Sequence, residues 1–376
     1  MCNSAIKHFL RLSLMLLCSI CSTAVLAASY QFTGPTTIGA NWVDISVAGT
    51  TVALADDSVS AAVPIGFTFN YGGLNYTQMS IGSNGWLFFA ATSTAFANVA
   101  VASSPVPNVL MPYWGDLNPN SVATRVRYQT VGVAPNRRFV VSYLAVPTFN
   151  ATGANTFQIV LNENGSILYN YQTTNTQGLL TGDANEGATV GYFVSASDFV
   201  QFSLNTASVP NNTTLTWTRI APSLINLKSV STVSDPINNV TNPKNIPGAI
   251  VSYTINVNNA SQGVVDTNTI AITDAIPTNT EMFTGGLSAT APFTLVDGSP
   301  SSGLVCTFIS LASATDCIEF SNNNGATWTY TPTAASDFDP LVTNIRLRPT
   351  GVMSGDTTPV ASPYPNYSIN FRVRIK

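Results

Sequence analysis

The segment MPYWGDLNPN, residues 111–120, combines residue types that bind cations or stack on sugars. Asp116, Asn118 and Asn120 stand at positions i, i+2 and i+4, which is the spacing of the first three ligands in a calcium-binding loop. Carboxylate and amide oxygens are ligands that calcium prefers. Calcium binding is therefore the first chemistry that this sequence suggests.

The residues that follow do not complete a twelve-residue calcium loop. Ser121 stands where the loop needs glycine, and Arg127 stands where it needs a bidentate glutamate. We therefore expect Asp116 to be a turn residue. The alternative that stays open is a looser calcium site, in which the three oxygen side chains are completed by another loop such as GDANEG, 182–187.

Other side chains of catalytic or binding type have simpler explanations. We expect Trp114 to pack in the core rather than to offer a platform for a sugar. Ser83 lies in SNGWLFF without the G-x-S-x-G pattern of a nucleophile elbow, so we expect a hairpin turn there. Two aspartate pairs suit glycoside hydrolysis by residue type alone, and we expect them to be solvated: Asp56 with Asp57, and Asp337 with Asp339.

The first 27 residues are predicted to be a secretory signal peptide. Basic residues precede an apolar run from Leu12 to Ile20, which is too short to span a bilayer. The sequence that ends at Ala27 fits the small-x-small rule, so we expect cleavage after Ala27. Cys18 and Cys21 follow large aliphatic residues, which argues against a lipoprotein signal.

Removal of this signal would leave the chain without histidine, because His8 is the single histidine. The remaining residues then offer no Ser-His-Asp or Cys-His pair and no histidine ligand for zinc. The commonest general base at neutral pH is also absent. We therefore expect the protein not to be an enzyme.

Cys306 and Cys317 are the cysteines that remain after the predicted cleavage, with ten residues between them. Two cysteines so close together in an exported chain are typical of a disulfide. We expect this bond to close a hairpin-like loop.

The composition is that of an exported β-protein. Charged residues make up only 9% of the chain, while 25 glycines and 22 prolines provide turns between short strands. The net charge of −4, without a basic block, argues against binding to nucleic acid. No apolar run of about 20 residues follows the signal, so we expect no transmembrane anchor after cleavage.

Hydrophobic alternation predicts an all-β fold. Val251, Tyr253 and Ile255 alternate with polar residues, as in a half-buried strand. The segment TFQIVLNENGSILYNY, 156–171, predicts a hairpin because Asn and Gly tolerate the positive φ of its turn. A break at Pro222 divides the chain after the signal into two β-sandwich-type domains, 28–220 and 221–376.

Basic residues also alternate along two predicted strands near the C-terminus. If these strands were neighbours, the side chains would form a positive stripe that could hold an acidic polysaccharide or a lipid phosphate. We favour the simpler interpretation of solvated edges, where positive charge discourages edge-to-edge pairing. The residues are Arg346, Arg348, Arg372, Arg374 and Lys376.

The first half resembles the nidogen-like extracellular domain and its bacterial relatives over about residues 40–217. The resemblance implies extracellular β-structure associated with a matrix or a surface, without enzymatic activity. It is carried by segments in a fixed order: VPIGFTFNYGGLNYTQMSIGSNGWLFF (63–89), LMPYWGDLNPN (110–120), RVRYQT (125–130), RRFVVSYLAVPTF (137–149), NTFQIVLNENGSILYNY (155–171) and ATVGYF (188–193).

The second half, about residues 230–376, is similar to the Ig-like repeat called domain of unknown function eleven, which occurs on bacterial and archaeal surface proteins. Residues 230–283 carry this similarity, notably IPGAIVSYTINVNN and ITDAIP. The similarity implies an Ig-like β-sandwich on or outside the cell surface, and it implies no ligand.

These observations predict a secreted or cell-surface protein with an adhesion or extracellular structural role. We expect loops at the sheet ends to bind an extracellular matrix protein or a polysaccharide. One alternative is a carbohydrate-binding or carboxylate-dependent carbohydrate-active protein, which as an enzyme needs two carboxylates about 5–10 Å apart in an aromatic-lined cleft. Another is a subunit that self-assembles through exposed strand edges. We expect no cofactor apart from the calcium alternative.

Overall fold

A computed structural model describes residues 28–150, 153–174, 187–333, 337–357 and 362–376. The predicted signal peptide, its cleavage site at Ala27 and most of the loop 182–187 lie outside these residues.

Within the described residues, nearly all regular structure is antiparallel β, which confirms the all-β prediction. None of the helical segments there has the length and apolar character needed to cross a membrane. The helical segments are short 3-10 turns at Gly39–Asn41, Val101–Ser103 and Ala123–Arg125.

The strands of the first half form two sheets, with the orders β1-β13-β10-β9-β8-β7-β2 and β12-β11-β6-β5-β4-β3. Every pairing within them is antiparallel. The strands are β1 (Tyr30–Thr37), β2 (Thr50–Thr51), β3 (Val63–Tyr71), β4 (Leu74–Ile81), β5 (Leu87–Phe88), β6 (Val109–Trp114), β7 (Val126–Val131), β8 (Arg138–Val146), β9 (Asn155–Asn162), β10 (Ile167–Thr173), β11 (Thr189–Ser195), β12 (Asp198–Leu204) and β13 (Thr213–Arg219).

These two sheets pack face to face around a large apolar core. In β3, residues at alternate positions are buried, which fits a strand with one face on the core. The predicted hairpin at 156–171 is confirmed, because β9 and β10 pair antiparallel across the turn at residues 163–166.

Three tyrosines of the seven-stranded sheet reach across this core to carbonyl oxygens of the facing sheet or its connecting turn. The hydroxyl of Tyr143 donates to Gly82 at 2.6 Å. The hydroxyls of Tyr169 and Tyr171 donate to Gly191 and Pro112 at 2.9 and 2.7 Å. Because buried hydroxyls need partners, these bonds allow the tyrosines to sit in an apolar core.

The beginning of β1 is held by a buried carboxylate on β12. Asp198 is 5% exposed and accepts hydrogen bonds from the backbone N–H of Ser29 at 2.8 Å and from the Ser29 hydroxyl. The Tyr192 hydroxyl donates to the same carboxylate at 3.2 Å. Burial raises the pKa of Asp198, although the hydrogen bonds from Ser29 and Tyr192 act in the opposite direction.

The second half contains a larger sheet of order β14-β15-β22-β17-β20, with β18 also paired to β22, and a three-stranded sheet of order β16-β21-β19. A second apolar core lies between them. The strands are β14 (Leu224–Ser234), β15 (Ile250–Asn259), β16 (Ile272–Ala275), β17 (Thr280–Phe283), β18 (Phe293–Asp297), β19 (Ile318–Ser321), β20 (Phe338–Asp339), β21 (Asn344–Leu347) and β22 (Asn366–Ile375).

The predicted domain boundary at 220/221 falls between β13 and β14, and the described sheets on its two sides share no strand. The halves nevertheless touch. Arg219 pairs with Asp266, and the backbone N–H of Thr267 donates to the carbonyl of Gly73 at 2.9 Å. The boundary itself remains a prediction.

Cys306 and Cys317 form the disulfide that the sequence predicts, with their Cα atoms 5.3 Å apart. Cys317 is buried in the second core. We expect the C306S/C317S double variant to lose about 2–3 kcal/mol of unfolding free energy, because the open loop restores entropy to the unfolded chain. Urea unfolding of the oxidised protein, the reduced protein and the double variant measures this loss. Equal midpoints for the oxidised and reduced proteins would contradict it.

Candidate functional site

Trp114 lies at the end of β6 and is fully buried. Its ring stacks on Trp86, with centroids 4.3 Å apart and planes 5° from parallel. Its indole N–H donates to the carbonyl of Ala95 at 3.0 Å. As expected, Trp114 belongs to the core and offers no surface to a sugar.

The turn Ser83–Gly85 holds the segment that follows Trp114 in place. Asn84 is 1% exposed, and its side-chain oxygen accepts the Leu117 N–H at 3.1 Å. Gly85 has φ +76°, and a Cβ there would lie 2.2 Å from the carbonyl oxygen of Tyr113, so only glycine fits. The Ser83 hydroxyl accepts the Ser58 N–H at 2.9 Å. Ser83 is therefore a turn residue, as expected.

Beside this turn, the fold brings Asp116 close to Asp56 and Asp57. One carboxylate oxygen from each of the three lies within 4.8 Å of the others. Asp57 is exposed, while Asp56 and Asp116 are half-buried. The Asn84 amide donates to Asp57 at 2.9 Å and so links the pair to the turn. In the part of the chain that the structure describes, this is the acidic group with a geometry that could share a cation.

The electrostatics of this acidic group disfavour the negative charge on Asp56. Burial, followed by the negative charge of Asp57, raises the pKa of Asp56. The Oδ1 atom of Asp56 is buried and finds no hydrogen-bond partner among the described residues. Carboxylates this close repel one another unless a proton or a cation intervenes.

The two asparagines of the predicted calcium pattern have local roles in a turn. The side-chain oxygen of Asn118 accepts the Asn120 N–H at 2.7 Å, which closes an Asx turn. Asn120 is exposed and has φ 54°, a conformation that asparagine tolerates. The calcium assignment of Asp116, Asn118 and Asn120 stays a prediction. The structure adds Asp56 and Asp57 as acidic neighbours.

Replacing Asp56 with asparagine distinguishes the effect of carboxylate repulsion on stability from the effect of bound calcium. The folded pKa of Asp56 is raised, so the ionised side chain destabilises the fold once the pH exceeds the folded pKa. With a chelator, we expect Asp56→Asn to raise the unfolding free energy by about 0.5–1 kcal/mol. If calcium binds, saturating calcium should stabilise the original protein by more than it stabilises the variant.

Asp44→Asn is the matched control, because this exposed aspartate accepts a hydrogen bond from Ser46 and lies outside the acidic group. Thermal unfolding in calcium and in chelator measures all three proteins. Identical melting of the original protein in both solutions would overturn the calcium prediction. A destabilised Asp56→Asn in chelator would overturn the repulsion argument.

The alternative of a positive stripe is excluded, because β21 and β22 belong to different sheets. Arg346 pairs with Glu319 at 2.5 Å, and Arg374 pairs with Glu281 at 2.5 Å. Each of these arginines therefore already has an acidic neighbour. The favoured interpretation of solvated edges was wrong, because β21 and β22 each have strand partners on both sides. Sequence alternation does not give strand order.

A groove that the sequence analysis missed lies beside the disulfide loop. It has a volume of about 290 Å³ and is lined in part by Trp328, Tyr330 and Glu319. The Arg346 guanidinium lies 4.4 Å from the Trp328 ring centroid, and the Tyr330 hydroxyl donates to Asp339 at 2.8 Å. These contacts hold both aromatic rings in place. The alternation of aromatic residues with threonine in TWTYT, 327–331, is the sequence feature that could have indicated this groove.

The first half is thus a two-sheet antiparallel sandwich in which Trp114 and Ser83 have structural roles. The family described as NIDO related matches residues 29–231, more than half of the 376 residues. The chain belongs to the NIDO-related family, which confirms the nidogen-like resemblance of the first half and implies an extracellular context. No curated protein and no solved structure matches the chain. The Ig-like similarity of the second half stays a prediction.

Proposed function

We propose that the protein is secreted and acts at the cell surface or in the extracellular matrix as a non-enzymatic adhesion or structural component. The observation that supports this most directly is the NIDO-related match over residues 29–231. The disulfide between Cys306 and Cys317 agrees with an oxidising compartment.

The surroundings of the carboxylates support a non-enzymatic role. Oxygens of Asp56, Asp57 and Asp116 lie within 4.8 Å of one another, so the three carboxylates form one cluster rather than a pair that faces across a cleft. The adjacent Trp114 is buried and cannot line a cleft. The expectation that Asp339 is solvated was wrong, because it is buried and accepts hydrogen bonds from Tyr330 and the backbone.

The experiment is binding of the purified chain from residue 28 to a panel of matrix proteins and polysaccharides, in calcium and in chelator. We expect saturable binding to one class of partner. Loss of that binding in chelator would connect it with the acidic group at Asp116. Failure to bind any member of the panel in either solution would contradict the adhesion proposal for those partners.

The second candidate function is saccharide binding at the Trp328 groove. Aromatic rings held at the edge of a groove can stack on the faces of sugar rings. The Glu319 carboxylate can accept hydrogen bonds from sugar hydroxyls, and the Arg346 guanidinium can donate to them. We expect Trp328→Ala to weaken polysaccharide binding about tenfold or more. Phe149→Ala is the control, because Phe149 is 51% exposed and lies outside the groove. Equal binding by both variants would refute this candidate.

A further inference from the structure

The strand β14 is a long, uncovered edge. It contains 11 residues and pairs on one side with β15; no other described strand pairs with it. Its first eight residues are all exposed, so that solvent reaches both faces as well as the free edge. At about 3.3 Å per residue, the edge is about 36 Å long.

Two backbone hydrogen bonds fix the direction of the polar groups along this edge. The Asn259 N–H donates to Pro365, next to β22, so odd-numbered residues of β15 bond towards β22. The Ala260 N–H donates to Ser223, so even-numbered residues bond towards β14. Because antiparallel residues alternate in direction, the N–H and C=O groups of Asn226, Lys228 and Val230 point away from β15.

This edge lacks the usual protection against pairing. Its sequence, LINLKSVSTVS, contains no proline, glycine or acidic residue. Its single charge is on Lys228, whose side chain turns towards the facing sheet. The ammonium lies 2.6 Å from Asp274 of that sheet and 4.5 Å from the ring centroid of Tyr253 on the neighbouring strand β15. The edge strand β1 of the other half differs, since it carries Gly34 and Pro35 at an irregularity in register.

Exposed apolar side chains are concentrated in the same place. Six of the eighteen large hydrophobic residues that are exposed in the described chain lie between 224 and 240. An uncharged strand edge with apolar side chains is a template for another strand. The six residues are Leu224, Ile225, Leu227, Val230, Ile237 and Val240.

We propose that β14 pairs antiparallel with β14 of a second copy of this chain, so that one continuous sheet crosses a two-fold axis. Ser229 is the midpoint of Leu224–Ser234, and a register centred on it lets the whole strand pair with its copy. In this register Lys228 lies opposite Val230 of the second copy, so the two lysines do not face each other. The absence of acidic residues lets two acidic proteins approach along this edge.

Replacing Val230 with proline tests the pairing. This change removes an N–H that points to the free edge and leaves the ladder with β15 intact, and the preceding Ser229 is already extended, as proline requires. We expect the original protein to be a dimer by sedimentation equilibrium. Val230→Pro should weaken the dimer about 10- to 100-fold. Val230→Thr keeps the N–H and should weaken the dimer by far less than Val230→Pro does.

A cysteine pair locates the axis. In the proposed register, Ser229 and its copy form a non-hydrogen-bonded pair with Cα atoms about 4.5 Å apart, within reach of a disulfide. We expect Ser229→Cys to form a covalent dimer on mild oxidation. Ser231→Cys is the control, because its copy lies several residues away along the strand and should not cross-link.

A monomer at every concentration up to about 100 μM would overturn the proposal, since the edge would then be unpaired or reserved for a strand of another protein. A dimer that survives Val230→Pro unweakened would overturn it as well, because the contact would lie elsewhere. Circular dichroism confirms that each variant is folded. These measurements use no matrix partner, so their outcome is independent of the adhesion proposal.

Discussion

Replacing Trp114 with alanine is expected to lower the free energy of unfolding by about 3–5 kcal/mol. The side chain is fully buried, and its ring stacks on Trp86 at 4.3 Å. Alanine would leave a cavity in a layer that also contains Phe88 and Met111, and the Ala95 carbonyl would lose its indole donor. Urea unfolding followed by circular dichroism measures the loss.

Trp114→Phe is the companion variant if the alanine protein does not fold. It keeps an aromatic ring against Trp86 and loses the indole N–H and some volume, so we expect a loss of about 1–2 kcal/mol. Folded Trp114→Phe should bind polysaccharides as the original protein does. A selective loss of sugar binding, with stability unchanged, would mean that Trp114 is a ligand platform after all.

The second large effect is expected at Asp198. Alanine there would leave the N–H and hydroxyl of Ser29 and the hydroxyl of Tyr192 without their buried acceptor, at a cost of about 3–5 kcal/mol. Asparagine keeps an acceptor oxygen of the same shape and should cost about 1 kcal/mol or less. Equal stability of the alanine variant and the original protein would contradict the role of this network.

The same pair of proteins gives a pH dependence with a definite sign. Because the folded pKa of Asp198 is raised, the folded state binds its proton more tightly than the unfolded chain does. Below the ordinary pKa of about 3.9 the group is protonated in both states and contributes nothing. As pH rises from the ordinary pKa to the folded pKa, the unfolded chain loses this proton while the folded state keeps it, so the stability of the original protein falls. The stability of Asp198→Asn relative to that of the original should therefore rise across that interval and then stay constant.

Local patterns in the sequence predicted the strands well. The alternation around Tyr253 gave β15, and the Asn164–Gly165 turn gave the β9–β10 hairpin, because residues two apart share a face and turn residues act within a few positions. The close spacing of Cys306 and Cys317 predicted their bond for the same reason. Each of these inferences depends on neighbours in the chain.

Features that depend on strand order were not predictable. The meeting of Asp116 with Asp56 and Asp57 joins segments about 60 residues apart, and no local pattern encodes it. The placement of Arg346 and Arg374 in different sheets was equally hidden from the sequence. The exposure of the β14 edge could not be predicted from the sequence either, since its apolar residues would suit a buried strand equally well.

The absorbance of the three tyrosines that cross the first core can be used to follow the unfolding of the first half. Burial raises the pKa of Tyr143, Tyr169 and Tyr171 far above that of a solvated phenol, so their rings stay in the phenol form while the sandwich is intact. In alkali, phenolate absorbance from these rings can therefore appear only when the two sheets separate. The time course of that absorbance would record the opening of this half without any added label.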